Sequence, residues 1–276
     1  MMILTICLRQ LGLGLLLLSF FASAAAAADC GKSAAGFGEW LPRFKSYAVS
    51  QGISPRTAEA ALKGVSYHRR VIQLDRNQRS FKLSFEKFYA RRVDKAMIAK
   101  GRRLIKQHGS ILSRIEARTG VPAEVVIAIW GLETGYGRNS GDFDIIRSLA
   151  TLAYDCRRSD FFRKELLAAL KIVDRGDMTP RQLRGGWAGE IGQTQFLASS
   201  YVKYALDFDG DGRSDLVRSV PDLLASTANY LRVKGWQHGR GWRPGTSNYD
   251  VIREWNRASV YVKTIAVMAD KLAGRN

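Results

Sequence analysis

Apolar residues recur at helical spacing along most of the chain. Between Glu39 and Ser50, the residues Trp40, Leu41, Phe44 and Tyr47 fall on one stripe and predict an amphipathic helix. Ser54 followed by Pro55 places a capping hydroxyl before a proline at the first helical position, so a second helix is expected through Leu62. The span from Ser84 to Arg118 is long, basic and periodic, and its pattern predicts two helices broken near Gly109. Residues 121–137, VPAEVVIAIWGLETGYG, are apolar on nearly every face, as a helix buried on all sides must be. Ser159 and Asp160 open a further amphipathic helix with Phe161, Phe162, Leu166, Leu167 and Leu170 turned inward. After Met178 the chain turns glycine-rich and loop-like, and helices return at 196–206, 220–233 and 259–273. With no internal repeat and no low-complexity linker, the pattern predicts a single mainly α domain over residues 29–276.

The first residues follow another logic. Leu11 to Phe21 is an almost unbroken apolar run, and Ala24 to Ala28 supplies small residues for a cleavage site. That layout predicts a signal peptide over residues 1–28, export to the periplasm and no stable membrane anchor. A retained N-terminal anchor is the alternative. Asp29 stands where a lipobox needs a small residue before Cys30, so no lipidation is expected. Loss of Cys7 with the leader leaves Cys30 and Cys156, which read as one disulfide in an oxidising compartment, with two free thiols as the alternative.

Charge narrows the class of partner without choosing it. The formal net charge is +18, and removing Arg9 with the leader leaves +17 (18 − 1). Such a protein is drawn to polyanions: wall material, lipid headgroups or nucleic acid. Export, and the absence of any nucleic-acid motif beyond charge, argue against nucleic acid.

Glu133 is the candidate for chemistry. It ends the apolar helix in the string Trp130-Gly131-Leu132-Glu133-Thr134-Gly135-Tyr136-Gly137. A carboxylate among Ile127, Ile129, Trp130 and Leu132 is costly to keep charged, and desolvation favours the protonated form that a general acid needs. Gly135 and Gly137 leave room for a sugar chain, and Tyr136 offers a ring to stack on a pyranose. The plainer alternative is a glutamate that merely closes the helix. Residues 185–204, GGWAGEIGQTQFLASSYVKY, add donors, acceptors and aromatic surface at Gln193, Gln195, Ser199, Ser200 and Tyr201.

Taken in order, ETGYG, LATLAYDCRR, WAGEIGQTQFLASSY, DFDGDGRSDL and TANYLRVKGW resemble the lytic murein transglycosylase B family over most of residues 37–273. The resemblance implies a lysozyme-like transglycosylase domain with helical flanking lobes, acting as a monomer on peptidoglycan glycan strands. The expected cut is at the β-1,4 bond between N-acetylmuramic acid and N-acetylglucosamine. Glu133 is then a single acid and base, the product carries a 1,6-anhydro-muramic end, and no catalytic cofactor is needed. Other cell-wall enzymes are possible partners. The resemblance extends to Arg157 and Arg158 as holders of substrate carboxylates, with helix-capping surface arginines as the alternative, and to Tyr230, Asn256 and Tyr261 as groove residues. Trp255 stands where the family usually has tyrosine.

Two features leave the chemistry open. Glu190 is a second carboxylate in the glycine-rich loop; facing Glu133, it would hold a water and favour hydrolysis, whereas turned to solvent or paired with an arginine it has no chemical role. A wall-binding protein without catalysis is the third reading. Separately, Asp207, Asp209 and Asp211 follow the D-x-D-x-D-G spacing of an EF-hand loop, with the Arg213 carbonyl as a further ligand. Position twelve is Arg218 and not the usual glutamate. The resemblance implies an EF-hand-like structural calcium site over 207–222, closed by Asp222.

Overall fold

A computed structural model of the chain describes residues 30–78 and 83–275. The leader expected at 1–28 lies outside the described residues. Thirteen α-helices and one two-stranded ribbon make up the regular structure among those residues.

The N-terminal helices are α1 (Phe37–Ser50), α2 (Pro55–Leu62) and α3 (Arg69–Arg76). Ser54 caps α2 by accepting from the Thr57 amide at 3.2 Å, with Pro55 as first residue. The basic span holds three helices, one more than its pattern suggests: α4 (Phe85–Arg92), α5 (Lys95–Gln107) and α6 (Gly109–Thr119). The additional break falls at Asp94, whose carboxylate accepts from the Met97 amide at 2.7 Å and so starts α5 afresh.

Helix α7 (Ala123–Thr134) is the axis of the molecule. Residues 125–132 are all buried, and α7 packs against α13 (Ser259–Leu272), α5, α6 and α11 (Val220–Val233). A fully buried Val, Leu or Ile contributes roughly 1.5–3 kcal/mol each, so this helix is held by burial on every side. Gly135 ends it in the left-handed region at φ 62°, which suits glycine.

Helices α8 (Ile145–Tyr154) and α9 (Ser159–Asp174) form the most extensively packed pair, with α1, α2 and α3 against α8 or α9 and α10 (Ala198–Tyr204) against α9. The ribbon pairs β1 (Phe143–Asp144) with β2 (Arg184–Gly185), antiparallel, and brings the glycine-rich loop beside the end of α7. Helix α12 (Ser247–Trp255) packs between α11 and α13 and delivers Trp255. Cys30 and Cys156 are joined by a disulfide across 126 positions, with Cα atoms 5.0 Å apart. No helix among the described residues is long and apolar enough to cross a membrane.

Candidate active site

The last turn of α7 places Glu133 at the wall of an open cavity of about 620 Å³. The acid is half-buried, and Oε1 accepts from the Trp255 indole N–H at 2.8 Å. Burial pushes its pKa up to about 7, against the opposing effects of the Trp255 hydrogen bond, the Tyr261 hydroxyl and the Arg92 guanidinium. Burial therefore favours retention of the proton well above the ordinary carboxylate range, as a general acid needs.

Trp255 is itself held by aromatic edges. Tyr230 and Phe196 meet its ring at centroid distances of 5.1 and 5.2 Å, both edge-on. The Tyr230 hydroxyl donates to the Glu254 carbonyl at 2.6 Å. Tyr230 is thus placed behind Trp255 as its support, not at the groove surface where the family resemblance put it. The Tyr261 hydroxyl is buried beside Glu133 and completes no hydrogen bond of ordinary geometry. Burial and the Glu133 charge keep it protonated, so it remains a donor.

Glu190 lies within electrostatic reach of Glu133 and raises the latter's pKa. Its own pKa is also raised by burial, against stabilisation from its own amide, the Ala188 amide and Arg158. Oε2 accepts from the Ala188 N–H at 3.1 Å. Gly186 makes room for it: a β-carbon there would sit 2.3 Å from Oε2. Two carboxyls of raised pKa therefore share the site, and the nearer constraint on Glu190 is its own loop.

The only non-glycine residues with left-handed φ among the described residues are Tyr136 (63°) and Gln195 (54°), and both border this site. Such conformations are costly and persist where surrounding contacts enforce them. Tyr136 is held by its hydroxyl, which donates to the Met97 carbonyl at 3.0 Å, and by an edge-on contact with Trp130. Gln195 donates from Nε2 to the Ser140 and Gly192 carbonyls at 3.0 and 2.8 Å.

Several expected sugar contacts have structural duties instead. The Gln193 amide accepts from the Trp130 indole at 3.1 Å and donates to the Val217 carbonyl at 2.9 Å, which spends the side chain on fastening α7 to the glycine-rich loop. Ser199 donates to Glu165 at 2.7 Å, and the same carboxylate accepts from its amide at 2.9 Å. Tyr201 is 0% exposed, so it is a core residue and cannot meet a ligand. Tyr136, at 7% exposed with Lys100 over its ring, is a groove floor and not a free stacking platform. Ser200 remains partly exposed on α10, and Asn256 accepts from the Ala258 amide at 3.0 Å.

Arg157 and Arg158 both bind the buried Asp75. Arg157 reaches its Oδ2 and main-chain carbonyl at 2.7 and 2.6 Å, and Arg158 takes Oδ1. Arg76 bridges Asp75 and Asp155 at 2.7 and 2.6 Å. The arginine pair therefore ties α3 to the α8–α9 turn beside the disulfide. Its guanidinium groups are still partly exposed, which sequence spacing alone does not reveal.

The aspartate loop is built as the spacing suggests, with one correction. Carboxylate oxygens of Asp207, Asp209 and Asp211 lie within 4.8 Å of one another on the surface, a donor set that fits a hard divalent cation. Asp222 does not join them. It is 0% exposed, and its oxygens accept from the amides of Phe208, Asp209 and Asp215 at 2.7, 3.3 and 2.8 Å. It closes the loop through main-chain amides, not as a ligand. Arg213 is exposed, and its amide donates to Asp211.

Comparison with known proteins places this arrangement. Residues 36–246 match the family described as the transglycosylase SLT domain. Membrane-bound lytic murein transglycosylase B of Escherichia coli K12 is 38% identical over 150 residues, spanning 51% of this chain and 41% of that protein's own length. SltB3 from Pseudomonas aeruginosa, solved in complex with NAG-anhNAM-pentapeptide, superposes with a TM-score of 0.82 at 33% identity, covering 87% of this chain and 80% of that one. Escherichia coli Slt35 in complex with calcium shares the fold with a TM-score of 0.74 at 24% identity, covering 84% of this chain and 92% of that one. The chain belongs to the transglycosylase SLT domain family and has its lysozyme-like, mainly helical fold.

Proposed function

We propose that this protein is an exported lytic murein transglycosylase, with a leader at 1–28 and a periplasmic catalytic domain at 29–276. It cleaves the β-1,4 bond between N-acetylmuramic acid and N-acetylglucosamine and leaves a 1,6-anhydro-muramic end. The observation that carries this reading is Glu133, a carboxyl whose pKa is about 7 at the wall of a groove, with one oxygen fixed by Trp255. Ordinary glycosidases divide acid and nucleophile between two carboxylates. Here one carboxyl acts first as acid and then as base, and the substrate supplies the nucleophile. Glu133 gives its proton to the scissile oxygen as the bond to the muramic carbon breaks. The resulting carboxylate then takes the proton of the muramic C6 hydroxyl, whose oxygen closes on the same carbon. Because the nucleophile is already part of the substrate, proximity supplies much of the rate. Tyr261 and Trp255 stabilise the carboxylate formed midway.

The relatives support the substrate class: SltB3 binds NAG-anhNAM-pentapeptide and NAG-NAM-pentapeptide. Ser200, Gln195, Asn256 and the exposed parts of Arg157 and Arg158 are the candidates for sugar and lactyl contacts. Asp207, Asp209 and Asp211 hold a structural calcium, the ion named for Slt35. A second reading rests on Glu190, a second carboxyl within electrostatic reach of Glu133 that in its ionised form would hold a water for hydrolysis. The mass of released ends separates the two, since anhydro ends are one water lighter than hydrolytic ends.

A further inference from the structure

A second cavity, of about 390 Å³, opens where the end of α4, the start of α5 and the end of α13 meet, and Asp94 is the one described residue that lines both it and the groove beside Glu133. Lys95, Ile98 and Arg102 recur at i, i+3 and i+7, so one face of α5 forms a wall. Lys271 in the last turn of α13 and Arg275 just beyond it supply the α13 side. Burial sorts these residues by depth. Val93 is buried, Tyr89 and Ile98 are partly buried, and the four cations are exposed. The Tyr89 hydroxyl is buried away from solvent, so the surface that Tyr89 offers the cavity is its ring. The result is an apolar floor under a basic rim. Asp94, the only carboxylate in the described lining, accepts from the Met97 amide as the cap of α5. Arg102 donates to the Lys271 carbonyl at 2.6 Å, and Arg275 lies over the Trp242 ring with Asp270 at 3.7 Å. Among the described residues Lys95 and Lys271 pair with no carboxylate. Like charges gathered at a concave site raise the local potential and favour an incoming anion.

We propose that this cavity binds a monomeric amphiphilic anion, with an acyl or aryl body on Tyr89, Val93 and Ile98 and a carboxylate or phosphate head held by Lys95 and Lys271. Three observations select this ligand. The volume of about 390 Å³ lies within the range of roughly 300–1,000 Å³ usual for small-ligand pockets. The order of depth, apolar below and cationic above, suits a molecule that enters apolar end first. A lipid held in a bilayer presents its head first and keeps its chains away from the floor. A docking protein face needs exposed apolar surface around the cavity. The exposed large apolar residues, Tyr47, Val49, Phe161 and Val233, lie instead on α1, α9 and α11, and none of them lines it.

The test uses the full chain and octanoate, kept monomeric, with binding followed by amide chemical shifts. Octanol carries the chain without the charge, and acetate carries the charge without the chain. The expected result is saturable octanoate binding with shifts centred on α4, α5 and the end of α13, and affinities for octanol and acetate each at least about tenfold lower. Lys95→Gln with Lys271→Gln should weaken octanoate about tenfold, whereas the charge-matched pair Lys164→Gln with Lys171→Gln on α9 leaves it unchanged. Ile98→Trp fills the floor and should weaken octanoate and octanol alike. The two lysines are exposed, so their replacement keeps the test decisive even if Ile98→Trp fails to fold. Absence of octanoate binding, shifts centred elsewhere, or equal loss with both lysine pairs overturns the proposal. If Lys95→Gln with Lys271→Gln abolishes binding to phosphatidylglycerol vesicles and spares octanoate, the rim serves a bilayer and the proposal fails.

Discussion

Trp255 Nε1 donates to Glu133 Oε1 at 2.8 Å across 122 positions of chain, so α12 fixes one oxygen of an acid that α7 presents. The ring is braced edge-on by Tyr230 and Phe196, which leaves it little freedom to swing away. Where one carboxyl serves first as acid and then as base, a fixed oxygen keeps the other aimed at the substrate through both steps. On the proposed mechanism Trp255 is a positioning residue. Trp255→Phe keeps much of the aromatic packing and removes the donor. Because that hydrogen bond lowers the Glu133 pKa, the variant's acid titrates higher than about 7. We expect kcat to fall about tenfold, the worth of one hydrogen bond to a charged group, while the alkaline limb of the pH profile moves upward. A profile that does not move would show that Trp255 has only a packing role.

The Glu133 pKa of about 7 has a consequence for stability as well as rate. The folded state holds this proton more tightly than the unfolded state, whose carboxyl titrates near the ordinary 4.5. Below that value both states are protonated and the group costs nothing. As pH rises from 4.5 to 7 the folded state alone retains the proton, so stability declines, and above 7 the full cost is present. Glu133→Gln removes this cost and is expected to melt higher than wild type above pH 7, by up to about 3 kcal/mol, with no difference near pH 4. Melting curves of the two proteins across that range check it. A pH-independent difference would contradict the raised pKa.

The Cys30–Cys156 bridge fastens the segment before α1 to the turn that also carries Arg157 and Arg158. Closing a loop of more than a hundred residues stabilises by roughly 4–5 kcal/mol on the chain-entropy account. Reduction, or Cys30→Ala with Cys156→Ala, should lower the denaturant midpoint accordingly, measured by fluorescence of the tryptophans. An unchanged midpoint would mean that the linked segment contributes nothing to the folded state.

Calcium should stabilise the Asp207–Asp211 loop, since three surface carboxylates held within 4.8 Å repel one another without a cation. At about a hundredfold excess over Kd, melting is expected roughly 5–10 °C above the value in chelator. Asp211→Asn should shrink that gap, whereas Asp222→Asn should lower the melting temperature with or without the ion, because Asp222 binds main-chain amides. Identical curves for wild type in calcium and chelator would remove the ion from the account.

Helix α7 and the acid at its end were legible in the sequence because both signals are local: an apolar run without a polar face, then a glutamate before Gly135. The cap at Ser54 and helices α11 and α13 were legible for the same reason. The break at Asp94 was not read, although an aspartate before a periodic run is a capping signal. Helices α3, α8 and α12 were also missed. Gln193 and Ser199 meet partners tens of residues away, Tyr201 is buried by the packing of the core, and Asp222 turns back to amides 7–14 positions earlier, so residue type suggested binding where the fold uses them for assembly. The partnership of Trp255 with Glu133, and that of Arg157 and Arg158 with Asp75, likewise exist only once the chain has closed on itself.

The most direct measurement is digestion of purified peptidoglycan by wild type and by Glu133→Gln, with released muropeptides read by mass. The account predicts ends bearing 1,6-anhydro-muramic acid from the wild type and none from the variant, whose fold remains intact. Hydrated reducing ends from the wild type would contradict it and move the chemistry to Glu190 and water.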